Sequence, residues 1–124
     1  MHQWLISNLR KKERKRIYQS YLETLIYEGG TNNIVVFTEI TSKKFLQFVG
    51  SNGDRLVMLD VPKVALDMRE MKLLLETIVI LEEADVSYQV LVTPEQGALI
   101  AEKIFLDVFF VSHSYSFETE LKLE

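Results

Sequence analysis

A chain of 124 residues, 48% hydrophobic and 26% charged, matches the size and make-up of one globular domain, read as residues 1–124. It has no cysteine, which excludes disulfides and thiolate metal sites and makes a reducing, cytoplasmic setting the expected one. The net charge of −4 is unevenly spread: through Arg16 six basic residues stand against Glu13, or +5, while the remaining eight basic and 17 acidic residues give −9.

The opening "MHQWLISNLRKKERKR" places its positive charge after a short apolar stretch, the reverse of a secretory signal, and no apolar run approaches the ~20 residues of a membrane span. Neither export nor a membrane span is expected. From Trp4 to Glu28 there is no proline or glycine, so one long helix or two short ones fit, ended by Gly29 and Gly30. Ile17, Tyr18, Tyr21, Leu22, Leu25 and Ile26 recur at helical spacing and give its buried face. Trp4, Leu5 and Leu9 form a separate apolar group, cut off from that stripe by the charge cluster and expected to dock elsewhere. Residues 1–16 thus read as a basic helical arm, in which Arg10, Lys11, Lys12, Arg14, Lys15 and Arg16 are a candidate patch for nucleic acid, an anionic surface or an acidic partner. The competing reading is a solvated helical face whose charge pairs with the acidic body of a neighbouring subunit, and the lack of interleaved aromatics favours it.

"NIVVFTEITSKKFLQFVGSNGDRLVMLDVP" reads as a three-stranded antiparallel meander. A turn at Thr41-Ser42 pairs Val35 with Phe48 and Phe37 with Leu46 and sets Glu39 opposite Lys44 as a charge pair. A two-residue turn at Asn52-Gly53 pairs Phe48 with Val57, Leu46 with Leu59, Val49 with Leu56, Gln47 with Met58 and Phe45 with Asp60. One face then collects Val35, Phe37, Leu46, Phe48, Val57, Leu59 and Val61, the core side. The other collects Ile34, Val36, Thr38, Phe45, Gln47, Val49, Leu56, Met58 and Asp60, too apolar for a face left in water. Helices of this chain or a second copy should cover it. Two-fold self-association is favoured, with Ile34, Val36, Phe45, Gln47, Val49, Leu56 and Met58 as the candidate face.

Further on, Asp67 and Glu70 make a capping box for a helix from about Met68 to Glu83, with Met68, Met71, Leu75 and Ile78 as its stripe and both methionines as core filling. "VSYQVLV" is a short strand. Thr93 as cap, Pro94 at the first helical position and Gln96 closing the box start the next helix, which buries Ala101, Ile104, Phe105 and Val108. The tail "YSFETELKL" alternates as a last strand, given an edge to pair with.

No catalytic constellation emerges. His2 and His113 lack partners at ligand spacing, and His113 reads as a cation capping a helix C-terminus. Glu82, Glu83 and Asp85 read as a solvated acidic run at a helix end. "EGGTNN" leads into a strand rather than a helix, the wrong context for a phosphate loop. A non-enzyme with no metal or organic cofactor is expected.

The order long N-terminal helix, three-stranded meander, helix, short strand, helix, C-terminal strand defines an α+β fold. It resembles the YbjN-like proteins and the related tetrameric YbjN chaperone-like domains, similar in fold to type III secretion chaperones. "KKFLQFVGSNGDRLVMLDV" resembles that family's strand pair, and "IFLDVFFVSHSYSFETEL" its final helix and exit; glycine and proline common at that exit are replaced here by Phe110 and Ser112. The resemblance implies a homodimerising α+β domain, secretion-chaperone-like, that binds or stabilises protein partners without cofactors and carries no catalytic residues. The functional expectation is a non-enzymatic, chaperone-like interaction module acting on a protein partner as a homo-oligomer. Its alternatives are a nucleic-acid-associated protein using residues 10–16 and a small acidic immunity or inhibitor protein steered to a basic target.

Overall fold

The computed structural model describes residues 2–124, with side chains described from Arg10 onward. The apolar group Trp4, Leu5 and Leu9, and His2, fall outside the described side chains. In chain order the elements are α1 (His2–Tyr27), β1 (Asn33–Glu39), β2 (Phe45–Gly50), β3 (Val57–Pro62), a 3-10 turn (Lys63–Ala65), α2 (Met68–Thr77), β4 (Glu82–Glu83), β5 (Ser87–Val92), α3 (Pro94–Asp107) and β6 (Phe117–Lys122). The fold is α+β, an antiparallel six-stranded sheet in the order β4-β5-β3-β2-β1-β6 with the three helices packed on it. Among the described residues no helix is long and apolar enough to cross a membrane.

The expected core face is in place. Val35, Phe37, Leu46, Phe48, Val57, Leu59 and Val61 are all buried, covered by Tyr18, Leu22, Leu25 and Ile26 of α1 and by Ala98, Ala101, Ile104 and Phe105 of α3. Where α1 crosses α3, an added Cβ on Gly97 would stand 2.7 Å from Leu22 Cδ1 and 3.3 Å from Phe48 Cε1, so any larger residue would force the buried Leu22 side chain to shift. Both capping boxes form, Asp67 with Glu70 at α2 and Thr93 with Gln96 at α3, and Pro94 takes the first helical position.

The β1–β2 register is as expected, Val35 opposite Phe48 and Phe37 opposite Leu46. The Glu39–Lys44 charge pair is not formed. The Glu39 carboxylate instead accepts the Thr41 and Ser42 amides, each at 2.8 Å, while Lys44 Nζ reaches Glu70. Burial opposes the Glu39 charge, but these amide bonds outweigh it and hold the carboxyl below its usual range.

The β2–β3 register is two residues away from the expected one: Val49 faces Met58, Phe48 faces Leu59 and Gln47 faces Asp60. A shift of two preserves the faces, so the core survives. Its cause is the end of α1. The Asn52 and Gly53 amides donate to the carbonyls of Gly30 and Ile26, and Asn52 Nδ2 donates to Gly29 O, so the loop is drawn onto the helix terminus and outgrows two residues. Only Gly53 has positive φ, at +96°, with the Asp54 amide bonded to Ser51 O, a turn needing one left-handed residue rather than two. Leu56 therefore lies in the loop, outside β3.

Helix α2 ends at Thr77, not Glu83, because Thr77-Ile78-Val79-Ile80 is a run of β-branched residues and Glu82 and Glu83 pair with β5. The acidic run thus forms a sheet edge. Met68 is 84% exposed and Leu75 is also exposed; the buried stripe is Glu70, Leu74 and Ile78, with Met71 half-buried against it. His113 caps nothing: the carbonyls of Ile104 and Phe105 at the end of α3 accept the Phe109 and Val111 amides, and His113 is exposed further along.

Candidate functional site

Helices α1 and α3 lie against each other on the core face, and among the described residues no helix covers the opposite face of the sheet. Strands β1, β2 and β3 accordingly alternate between buried residues and partly exposed ones. The pairings resolve this outer face into rows running across the strands, since residues directly opposite share a face; beside the two long rows, Glu118, Thr38 and Phe45 form a shorter one. The first long row is Ile34, Val49, Met58 and Leu91, in which Leu91 is 62% exposed; Lys122 ends it on β6. The second is Glu120, Val36, Gln47, Asp60, Gln89 and Glu82, polar apart from Val36 and acidic at both sheet edges. Gln89 Nε2 donates to Asp60 Oδ1 at 3.1 Å, holding two members of that row together. A hollow of about 420 Å³, lined by Met58, Ile80, Glu82, Gln89, Val90 and Leu91, extends the apolar row toward β4.

The structure therefore brings Ile34, Val36, Phe45, Gln47, Val49 and Met58 onto one open face. Leu56 stands beside it in the loop, 38% exposed. Leu91 and Ile80 join the apolar row unforeseen. "VSYQVLV" reads as a short strand with no partner assigned to it; pairing it with β3 is what puts Leu91 opposite Met58.

The basic segment divides. Arg10, Lys11, Lys12 and Arg16 are exposed and Lys15 half-buried, but Arg14 is only 5% exposed. Its guanidinium makes a forked ion pair with Glu102 of α3, itself 3% exposed, with Nε donating to Oε2 at 3.0 Å. Arg14 also lies over the Tyr115 ring at 4.1 Å from the centroid. Tyr115 donates its hydroxyl to Glu102 Oε2 at 2.7 Å and lies 2.6 Å from the Tyr18 hydroxyl, which must then be the donor to Tyr115. Burial opposes the Arg14 charge; its bond to Glu102 outweighs that and keeps the cation above its ordinary pKa. Arg14 is thus withdrawn from any surface patch, and its charge is met within the chain rather than by a neighbour. The spacing was the missed signal, for Arg14 precedes Tyr18, Leu22 and Leu25 on the buried stripe of α1.

Burial pushes the Tyr18 and Tyr115 phenols well above their usual range; Tyr115 adds to the shift of Tyr18 and the Glu102 carboxylate to that of Tyr115, while the bond donated by Tyr18 opposes the shift of Tyr115 without cancelling it. In the unfolded chain they ionise near pH ~10, whereas the folded protein keeps both protons, so their stabilisation is complete below pH ~10 and is lost as the pH rises above it. Two such phenols give a slope of about 2.7 kcal/mol per pH unit. Urea unfolding between about pH 9 and 11 should show this fall, and Tyr18→Phe should roughly halve its slope. A flat profile would mean that water reaches the phenols.

Among the described residues no group of His, Cys, Asp or Glu is placed to hold a metal ion. Comparison of the chain with protein-family models, with curated proteins and with solved structures found no match in any of the three.

Proposed function

We propose that the protein is a non-enzymatic protein-interaction module that assembles with copies of itself through the open face of its sheet. The observation that carries this reading is the row Ile34, Val49, Met58 and Leu91, four apolar side chains in register across four strands with no helix of the chain above them among the described residues. A contiguous apolar band bordered by polar groups is the make-up of an association surface. With the two-residue strand β4 added between α2 and β5, the elements keep the order on which the resemblance to YbjN-like and secretion-chaperone-like domains rests, and that resemblance favours a chaperone-like role toward a protein partner.

Replacing Val36 by Glu and Met58 by Lys together puts two charges on the open face without entering the core. The native chain is expected to sediment as an oligomer and the double variant as a folded monomer with unchanged circular dichroism. A native chain that is monomeric at about 100 µM, or a variant that stays assembled, removes the reading.

A second reading, association with nucleic acid, draws on the exposed cations Arg10, Lys11, Lys12 and Arg16 of α1. Titration with DNA and RNA at low salt tests it, since phosphate neutralisation gives a steep salt dependence. No binding under those conditions discards it.

A further inference from the structure

The outer face is acidic at both ends. Glu118 and Glu120 project from the β6 edge on the same side as Thr38 and Val36, and Glu82 projects from the β4 edge on the side of Gln89. Lys122 is the one cation of these outer edge positions, with Glu124 at 3.9 Å. Two copies meeting face to face about a two-fold axis along the strands would set β6 over the neighbour's β4; an axis across the strands would set β6 over β6. The first sets Glu120 toward Glu82; the second sets Glu120 against Glu120, with Lys122 the single cation of the edge to offset it. The complementary charge lies elsewhere on the same chain, on the exposed side of α1, where Lys12 and Arg16 follow one another at helical spacing and Lys15 flanks them.

We infer that the occupant of the open sheet face is the basic segment of α1 up to Arg16 from a second copy, a head-to-tail contact rather than a self-facing one. The inference rests on the reading of the sheet face as a self-association surface. Sizes agree: four strands at about 4.8 Å spacing give a band roughly 15–20 Å long, the length of about 10–13 helical residues at 1.5 Å each. A helix laid along the row Ile34, Val49, Met58 and Leu91 runs beside the row Glu120, Asp60 and Glu82, so its cations find carboxylates along one flank. The sequence ahead of the cations carries Trp4, Leu5 and Leu9, the apolar side chains such a band requires. Because donor and acceptor surfaces differ, each copy keeps one of each free until a ring closes.

Salt and charge reversal test this on the full chain by sedimentation equilibrium. Raising NaCl from about 50 to 300 mM should weaken head-to-tail assembly about tenfold, whereas face-to-face assembly, with its opposed carboxylates, should tighten. Lys12→Glu with Arg16→Glu should weaken assembly about tenfold or more, and Glu82→Lys with Glu120→Lys should do the same. Mixing the two variants should restore a one-to-one pairing of unlike chains, since one then carries the acidic helix and the other the basic sheet edge. If the native chain assembles and Val36→Glu with Met58→Lys abolishes this, but neither reversal weakens it and salt tightens it, the head-to-tail contact is overturned and the sheet-face reading stands. If the native chain does not assemble at all, both fall.

Discussion

Replacing Phe48 by alanine is expected to destabilise the protein by about 3–5 kcal/mol, the range for truncating a buried aromatic. Phe48 has no exposed surface. It lies between Val35 and Leu59 on the neighbouring strands and meets the Phe37 ring edge-on with centroids 6.1 Å apart. The first turn of α3 closes over it at Gly97, where the helix has no side chain to fill a void. The cavity left by alanine therefore has sheet on one side and two crossed helices on the other, and none of these can collapse without breaking pairing or caps. Urea unfolding of native and Phe48→Ala protein measures the difference. A loss below about 1 kcal/mol would show that the face carrying Phe48 is not the packed one.

A loss of similar size, about 3–5 kcal/mol, is expected for Arg14→Met, for a different reason. The methionine fills much of the space but leaves the Glu102 carboxylate buried without its cation, with only the Tyr115 hydroxyl still donating to it. Removing both charges, as Arg14→Met with Glu102→Leu, should cost much less than the two single losses added together, because no uncompensated charge remains. The double-mutant cycle should give a coupling of at least about 2 kcal/mol. Additive single losses would mean that each group is solvated independently, contrary to the burial of both.

How much of this was legible in the sequence depended on the range of the interaction. Capping at Asp67 and Thr93 is decided within four residues, and both caps form as read. The β1–β2 register is also local: alternation of "NIVVFTE" and "FLQFVG" selects the buried face, and the turn at Thr41-Ser42 selects among the pairings that keep it. The β2–β3 loop is not local, because its length answers to the carbonyls of Ile26, Gly29 and Gly30 at the end of α1. The end of helix α2 is not local either: "ETIVILEE" has an apolar content that suits a helix or the approach to an edge strand, and pairing with β5 decides between them. Arg14 is the plainest case. Charge placed it in a surface patch and spacing placed it in the core; spacing decided, because Glu102 and two phenols on distant parts of the chain supply everything a buried guanidinium needs.

The pairing of β1 with β6 has a consequence for how the chain is made. Strand β1 forms early in synthesis, yet one of its two neighbours is the last strand in the sequence, and the helix that completes its roof, α3, comes only shortly before. At about 5–20 residues per second, the interval between the emergence of Val35 and that of Phe117 is roughly 4–16 s. Until α3 is made the inner surface of the meander lacks part of its roof, and for the whole interval the free edge of β1 is open to any extended segment nearby. The growing polypeptide is thus most open to mispairing at the β1 edge before β6 is made, and the strand Phe117–Lys122 closes that edge.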